Sequence, residues 1–178
     1  MSREQSQPSA SASTGDTNRD DRIGILFICL GNICRSPLAE GVFLHKIAQR
    51  GLANRFRVDS AGTGGWHEGE PADPRSCAVA KKYGIGLPSR ARKVRRSDFT
   101  EFDYLIAMDH QNYDDLIAMG APEAKVKLLL EYDNSHHLKE VPDPYYGGPD
   151  GFETIYKLID RACDCLIDAN LSASEGRA

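Results

Sequence analysis

The run Cys29-Leu30-Gly31-Asn32-Ile33-Cys34-Arg35-Ser36 sets a thiol and a guanidinium at the two ends of one short loop. The thiolate is the nucleophile of cysteine chemistry, and both a helix N-terminus and a neighbouring Arg favour it over the thiol. Five residues between Cys29 and Arg35 allow a tight bend. In that bend successive backbone N–H groups can converge on a tetrahedral anion while the Arg35 fork grips two of its oxygens. Gly31 and Asn32 tolerate the left-handed backbone such a bend needs. An anion held there rests against the Cys29 sulfur, an arrangement for phosphoryl transfer to cysteine that other oxyanion chemistries could share.

The elements that must present this loop can be read from hydropathy. Residues 23–28 form a continuous apolar run suited to a strand buried on both faces. Residues 37–50 read as a helix, with Pro37 at its first position and Gly51 beyond its end. A second strand is predicted over 56–60, a helix over 74–83 ended by Gly84, and a third strand over 104–108. Asp109 can cap a helix reaching about residue 119, a fourth strand covers 126–130, and after a long loop a helix spans about 152–171. Strands alternating with helices imply an α/β fold, a parallel sheet covered on both faces, whose ligands bind beyond the carboxyl ends of the strands.

Composition bounds the rest. The chain has 178 residues, enough for one domain with a real core. Residues 1–21 and 172–178 are expected to be tails around a domain at 22–171, the first of them too polar to offset the entropy of ordering. A net charge of −4 does not favour nucleic acid, which is bound chiefly through Lys and Arg. No apolar run nears the ~18 residues that span a bilayer, so no membrane association is expected. Five cysteines and no signal-like segment favour free thiols in a reducing cytoplasm over a disulfide framework. Cys163 and Cys165 point to different faces of a helix without a matching ligand pair, so no metal or cofactor is expected. Residues 90–96 carry four Arg and one Lys, a run that either recruits an acidic partner or is simply a solvated face.

Residues 28–37 with Ala39-Glu40 resemble the signature of the low-molecular-weight protein tyrosine phosphatases. Three further segments match in order: Val58-Asp59-Ser60-Ala61-Gly62-Thr63, Phe102-Asp103-Tyr104 through Met108-Asp109, and Asp143-Pro144-Tyr145-Tyr146-Gly147-Gly148. The resemblance implies a three-layer, flavodoxin-like fold with a four-stranded parallel sheet. It implies hydrolysis of phosphotyrosine in proteins, with tyrosine-phosphorylated proteins as partners and inorganic phosphate or other oxyanions as product and inhibitors. Cys29 becomes the nucleophile, Arg35 and the loop residues Leu30, Gly31, Asn32, Ile33, Cys34 and Ser36 the phosphate cradle. Asp143 becomes the general acid that protonates the leaving phenolate and then the base on water.

The same resemblance has the Ser36 hydroxyl donate to the Cys29 sulfur and Asn32 hold the loop, with Ser60 as partner. Many relatives carry His-x-Ala-Arg in support of that network, whereas this chain has Ser89-Arg90-Ala91-Arg92. Trp66, Tyr145 and Tyr146 become cleft walls, with core packing the alternative for Trp66. Cys34 would form a reversible disulfide with Cys29. Ile33 leans toward phosphotyrosine, since relatives that dephosphorylate arginine typically carry Thr there. Arsenate reduction on the same loop is the other enzyme class, but it needs relay thiols, for which Cys77 alone is available outside the loop and the last helix.

Overall fold

A computed structural model describes residues 20–145 and 147–176, so the tail expected over 1–21 and the Tyr146 side chain lie wholly or largely outside the described residues. Four strands make one parallel sheet: β1 (Ile23–Cys29), β2 (Phe56–Gly62), β3 (Tyr104–Ala107) and β4 (Val126–Leu128). Their spatial order is β2-β1-β3-β4, which is flavodoxin-like. The helices are α1 (Arg35–Gln49), α2 (Pro74–Lys82), a single turn α3 (Asp98–Glu101), α4 (His110–Ala118) and α5 (Gly151–Glu175).

Strand period divides β1 between two cores. Ile25, Phe27 and Cys29 point to one face, where they join Phe43 and Ile47 of α1 and Ile155, Ile159 and Leu166 of α5. Leu26 and Ile28 point to the other, with Phe99, Leu116 and Val126. A strand apolar at every position is what burial on both faces requires. Because β1 sits between β2 and β3 and the connections leave it in opposite directions, its C-terminal end opens at the switch point. Cys29 is its last residue.

Several boundaries differ from the sequence reading for physical reasons. Helix α1 begins at Arg35, so Pro37 is its third residue and Ser36 its second. Strand β4 stops at Leu128 because Leu129–Tyr132 tighten into a 3-10 turn. Helix α3 was not anticipated; Asp98, buried against Arg92, nucleates it by accepting from Arg95 N at 2.7 Å. Helix α5 passes residue 171 and ends at Glu175, because Ser172 and Ser174 donate back to the carbonyls of Asp168 and Leu171.

Phe43 ties α1 to the sheet. It is fully buried, its ring tilted at 5.6 Å from that of Phe27 and edge-on at 5.3 Å from that of Phe56. Truncation leaves a cavity bounded by rigid strand backbone, so Phe43→Ala is expected to cost about 3–5 kcal/mol. Urea unfolding with an unchanged m-value checks this, and a loss under about 1 kcal/mol would show that the site collapses around the gap.

Candidate active site

The loop after β1 is held by its carbonyls. Cys29 O and Leu30 O accept from Thr63 N and Gly64 N, both at 2.9 Å, Ile33 O from Asp73 N at 2.8 Å, and Cys34 O from Ser76 Oγ at 3.1 Å. In a planar trans peptide the next N–H points the opposite way, so the amides of Leu30, Gly31, Cys34 and Arg35 turn to the concave side. No side chain caps α1 at Cys34, which leaves its first-turn amides to an anion. Asn32, at φ 54°, is the one non-glycine residue with positive φ among those described and makes the bend. Gly62 allows the loop to lie flat on β2: a Cβ there would stand 2.8 Å from Leu30 O and 2.9 Å from Gly64 O.

Beneath the loop runs a buried chain of hydrogen bonds. Asn32 Nδ2 donates to Ser36 Oγ at 2.8 Å and to Ser60 Oγ at 2.9 Å, while Asn32 Oδ1 accepts from Arg92 N at 2.9 Å. Ser36 Oγ, accepting from Asn32, lies 3.0 Å from Cys29 Sγ and 3.4 Å from Ala61 O, so its one hydrogen is shared between a sulfur and a carbonyl. Ser60 Oγ in turn donates to Glu40 Oε2 at 2.5 Å. The Ser89 hydroxyl also lies close enough to favour the charged form of the same carboxyl. Burial pushes the Glu40 carboxyl above its ordinary value, the two serine hydroxyls oppose that, Asp59 adds to it, and Arg92 reduces it.

Arg35 closes the other side. Its side chain is 3% exposed, and Nη1 donates to Asp109 Oδ2 at 2.5 Å and to Val141 O at 3.1 Å, with Nη2 3.5 Å from Asp143 Oδ2. Burial works against its charge, but the Cys29 sulfur, Asp109 and Asp143 outweigh it and hold the guanidinium above its usual range. Asp143 arrives on the long loop before α5 because Val141, fully buried, donates its N–H to Met108 O at 2.8 Å at the end of β3. Asp143 is partly exposed, and its Oδ1 accepts from Tyr145 N at 3.0 Å.

Cys29, Leu30, Gly31, Ile33, Cys34, Arg35 and Asp143 line one cleft of about 220 Å³, walled by Trp66, His67 and Tyr145. Trp66 is 72% exposed and therefore a rim residue, not a core one. Asn32 and Ser36 lie under the cleft floor. A larger depression of about 1160 Å³ opens between residues 20–23 and the end of α5, at the opposite end of the sheet, and holds no thiol. The Cys34 thiol is pushed up to about 12 by burial and by Asp73, so it stays protonated.

Such a cleft offers a thiol, a fixed cation, inward amides and a carboxyl within one oxyanion's reach. A model of the low molecular weight phosphotyrosine protein phosphatases matches residues 24–175. The chain belongs to that family. It is 45% identical over 159 residues to the low molecular weight protein-tyrosine-phosphatase of Streptomyces coelicolor, covering 86% of this chain and 97% of that one. It is 49% identical over 142 residues to the low molecular weight phosphotyrosine protein phosphatase of Schizosaccharomyces pombe, covering 78% and 91%. The crystal structure of YfkJ from Bacillus subtilis superposes with a TM-score of 0.82 at 40% identity, covering 85% of this chain and 96% of that one. This phosphatase is accordingly a hydrolase with the fold of its family.

Sequence reasoning missed four contributors. Asp109 reads as a helix cap, which it is: Oδ1 accepts from Asn112 N at 2.8 Å while Oδ2 serves Arg35. Val141 is one apolar residue in a polar loop, His67 one polar residue among several, and Glu40 looks like a misplaced capping partner. The signal for Glu40 was its place on the inward stripe of α1, one turn after Ser36.

The raised Glu40 carboxyl has a consequence for stability. It binds its proton more tightly in the fold than in the unfolded chain, so this group favours folding most at low pH. That contribution is lost as pH rises from the ordinary carboxylate value of 4.5 through the folded one. Glu40→Gln removes the titration and is expected to gain stability relative to the unaltered protein as pH climbs from about 5 to about 8. Urea unfolding of both proteins across that range tests it; a difference independent of pH would remove Glu40 from the response.

Proposed function

We propose that this phosphatase hydrolyses phosphotyrosine in proteins by double displacement through Cys29. The observation that carries this reading is the meeting of Cys29, Arg35 and Asp143 in one cleft with an aromatic rim of Trp66 and Tyr145. In the first step the Cys29 thiolate attacks phosphorus, the bond from phosphorus to the tyrosyl oxygen breaks, and protonated Asp143 gives its proton to the leaving phenolate. Arg35 and the loop amides carry the charge of the equatorial oxygens throughout. In the second step the Asp143 carboxylate takes a proton from water, which attacks the phosphocysteine. Inorganic phosphate departs and the thiolate is restored, stabilised by the Ser36 hydroxyl.

The flat walls suit an aromatic ring standing on its phosphate, and Ile33 presents an apolar side chain where a polar one would suit a guanidinium. The five free thiols fit a reducing compartment, and we assign the protein to the cytoplasm. Among the described residues no helix is long and apolar enough to cross a membrane. We also read Cys34 as the resolving thiol. Peroxide would oxidise Cys29 to the sulfenic acid, and attack by Cys34 sulfur would release water and form the disulfide. Because the Cys34 thiol is held protonated, closure would be slow until it loses that proton.

Cys29→Ser is expected to abolish phosphate release from an aryl phosphate, and Asp143→Ala to slow it by roughly a hundredfold or more for poor leaving groups. A panel of peptides phosphorylated on Tyr, Ser or Thr, and Arg, run beside Ile33→Thr, tests the substrate. Preferential phosphoarginine cleavage by the unaltered protein would overturn the assignment. Peroxide inactivation should be reversed by dithiothreitol in the unaltered protein and become irreversible in Cys34→Ser; equal recovery in both would discard the disulfide.

A further inference from the structure

Asp73 and Arg75, at the start of α2, connect the nucleophile loop to the acid loop, and the chemistry above uses neither. Asp73 and Ser76 fasten α2 to the nucleophile loop: the Asp73 N–H donates to Ile33 O at 2.8 Å and the Ser76 hydroxyl to Cys34 O at 3.1 Å. The Arg75 guanidinium lies back along the Asp73 carboxylate, Nε to Oδ1 at 3.0 Å and Nη2 to Oδ2 at 2.8 Å. Two parallel contacts fix the plane of the fork. With the plane fixed, Nη1 reaches across to Tyr145 O at 3.2 Å. The face of the same group covers the rings of Tyr145 and Phe152, at 5.2 and 4.7 Å from their centroids.

Tyr145 is the residue whose N–H orients Asp143. Arg75 therefore holds, by carbonyl and ring, the residue that holds the acid. We propose that Arg75 is a positioning residue for Asp143, locking the acid loop to the nucleophile loop so that proton donor and sulfur keep a fixed separation. The proposal rests on the reading of Asp143 as general acid. Lysine cannot replace it, because a point charge cannot lie along Asp73, donate to Tyr145 O and cover two rings together.

The test uses kcat/KM of the full chain, which reports the steps through cleavage of the phenolic bond, on phenyl phosphate and p-nitrophenyl phosphate. The unsubstituted phenolate is the poorer leaving group and depends more on the acid. Arg75→Met and Arg75→Lys should lower kcat/KM for phenyl phosphate by about tenfold and for p-nitrophenyl phosphate by under about twofold. In an Asp143→Asn background, adding Arg75→Met should leave the ratio of the two substrates unchanged. Arg75 is half exposed, and thermal melting confirms that each variant is folded before it is compared, with the lysine variant deciding should the methionine one melt early. Equal losses on both substrates, or a further change in the ratio without the Asp143 acid, would make Arg75 merely structural and overturn the proposal. If Asp143→Asn itself leaves the ratio unaltered, the acid assignment fails instead.

Discussion

A guanidinium buried to 3% exposure must be paired wherever it stands, and the architecture of this phosphatase is organised around meeting that demand for Arg35. The partners come from two places far apart in sequence: the cap of α4, and the loop before α5, which brings both the carbonyl of Val141 and the carboxylate of Asp143. Each must be at the carboxyl end of the sheet for the charge to be tolerated. The buried cation therefore acts as a point of assembly as well as an anion ligand. Removing one partner leaves the others facing an uncompensated charge, and this couples the β3–α4 turn to the loop before α5. Asp109 serves both ends of that coupling with one carboxylate, capping α4 with one oxygen and pairing Arg35 with the other.

The loop around the sulfur obeys a second constraint, close approach of backbone to backbone. Carbonyls turned outward are pinned by Thr63 N, Gly64 N and Asp73 N, with the buried Ser76 hydroxyl on the fourth, so the inward amides are set mostly by main-chain geometry rather than by side chains that could rotate. This explains a glycine at position 62, where even a methyl group would press on two carbonyl oxygens. It also explains the cost accepted at Asn32, whose left-handed backbone is of order 1 kcal/mol above a right-handed one and is offset by three side-chain hydrogen bonds. Preorganisation of this sort favours transition-state charge, because no donor must reorient when charge develops.

How much of this could be read from the chain depended on whether the signal was local. The apolar run of β1, the loop after it and the helix after that are contiguous, and their pattern is strong enough to place Cys29 and Arg35 together without knowledge of the fold. The alternation of strands and helices likewise follows from short-range periodicity. Asp109 and Val141 were not legible, because their roles depend on where a distant guanidinium falls; alone, one is a good N-cap and the other an isolated apolar residue. Ser60 was visible as a neighbour of Asn32, yet its other partner, Glu40, emerges only when α1 packs across β2. Helix α3 and the 3-10 turn after β4 were missed because each is shorter than a full hydrophobic period.

Trp66 is the sole tryptophan of the chain, and it stands on the rim of the cleft with most of its indole in solvent. The polypeptide thus carries its own optical reporter at the entrance to the chemistry, with no second indole elsewhere in the chain to dilute it. Any ring that enters beside the indole exchanges water for an aromatic neighbour, so ligand occupancy and intrinsic fluorescence are coupled by the placement of one residue.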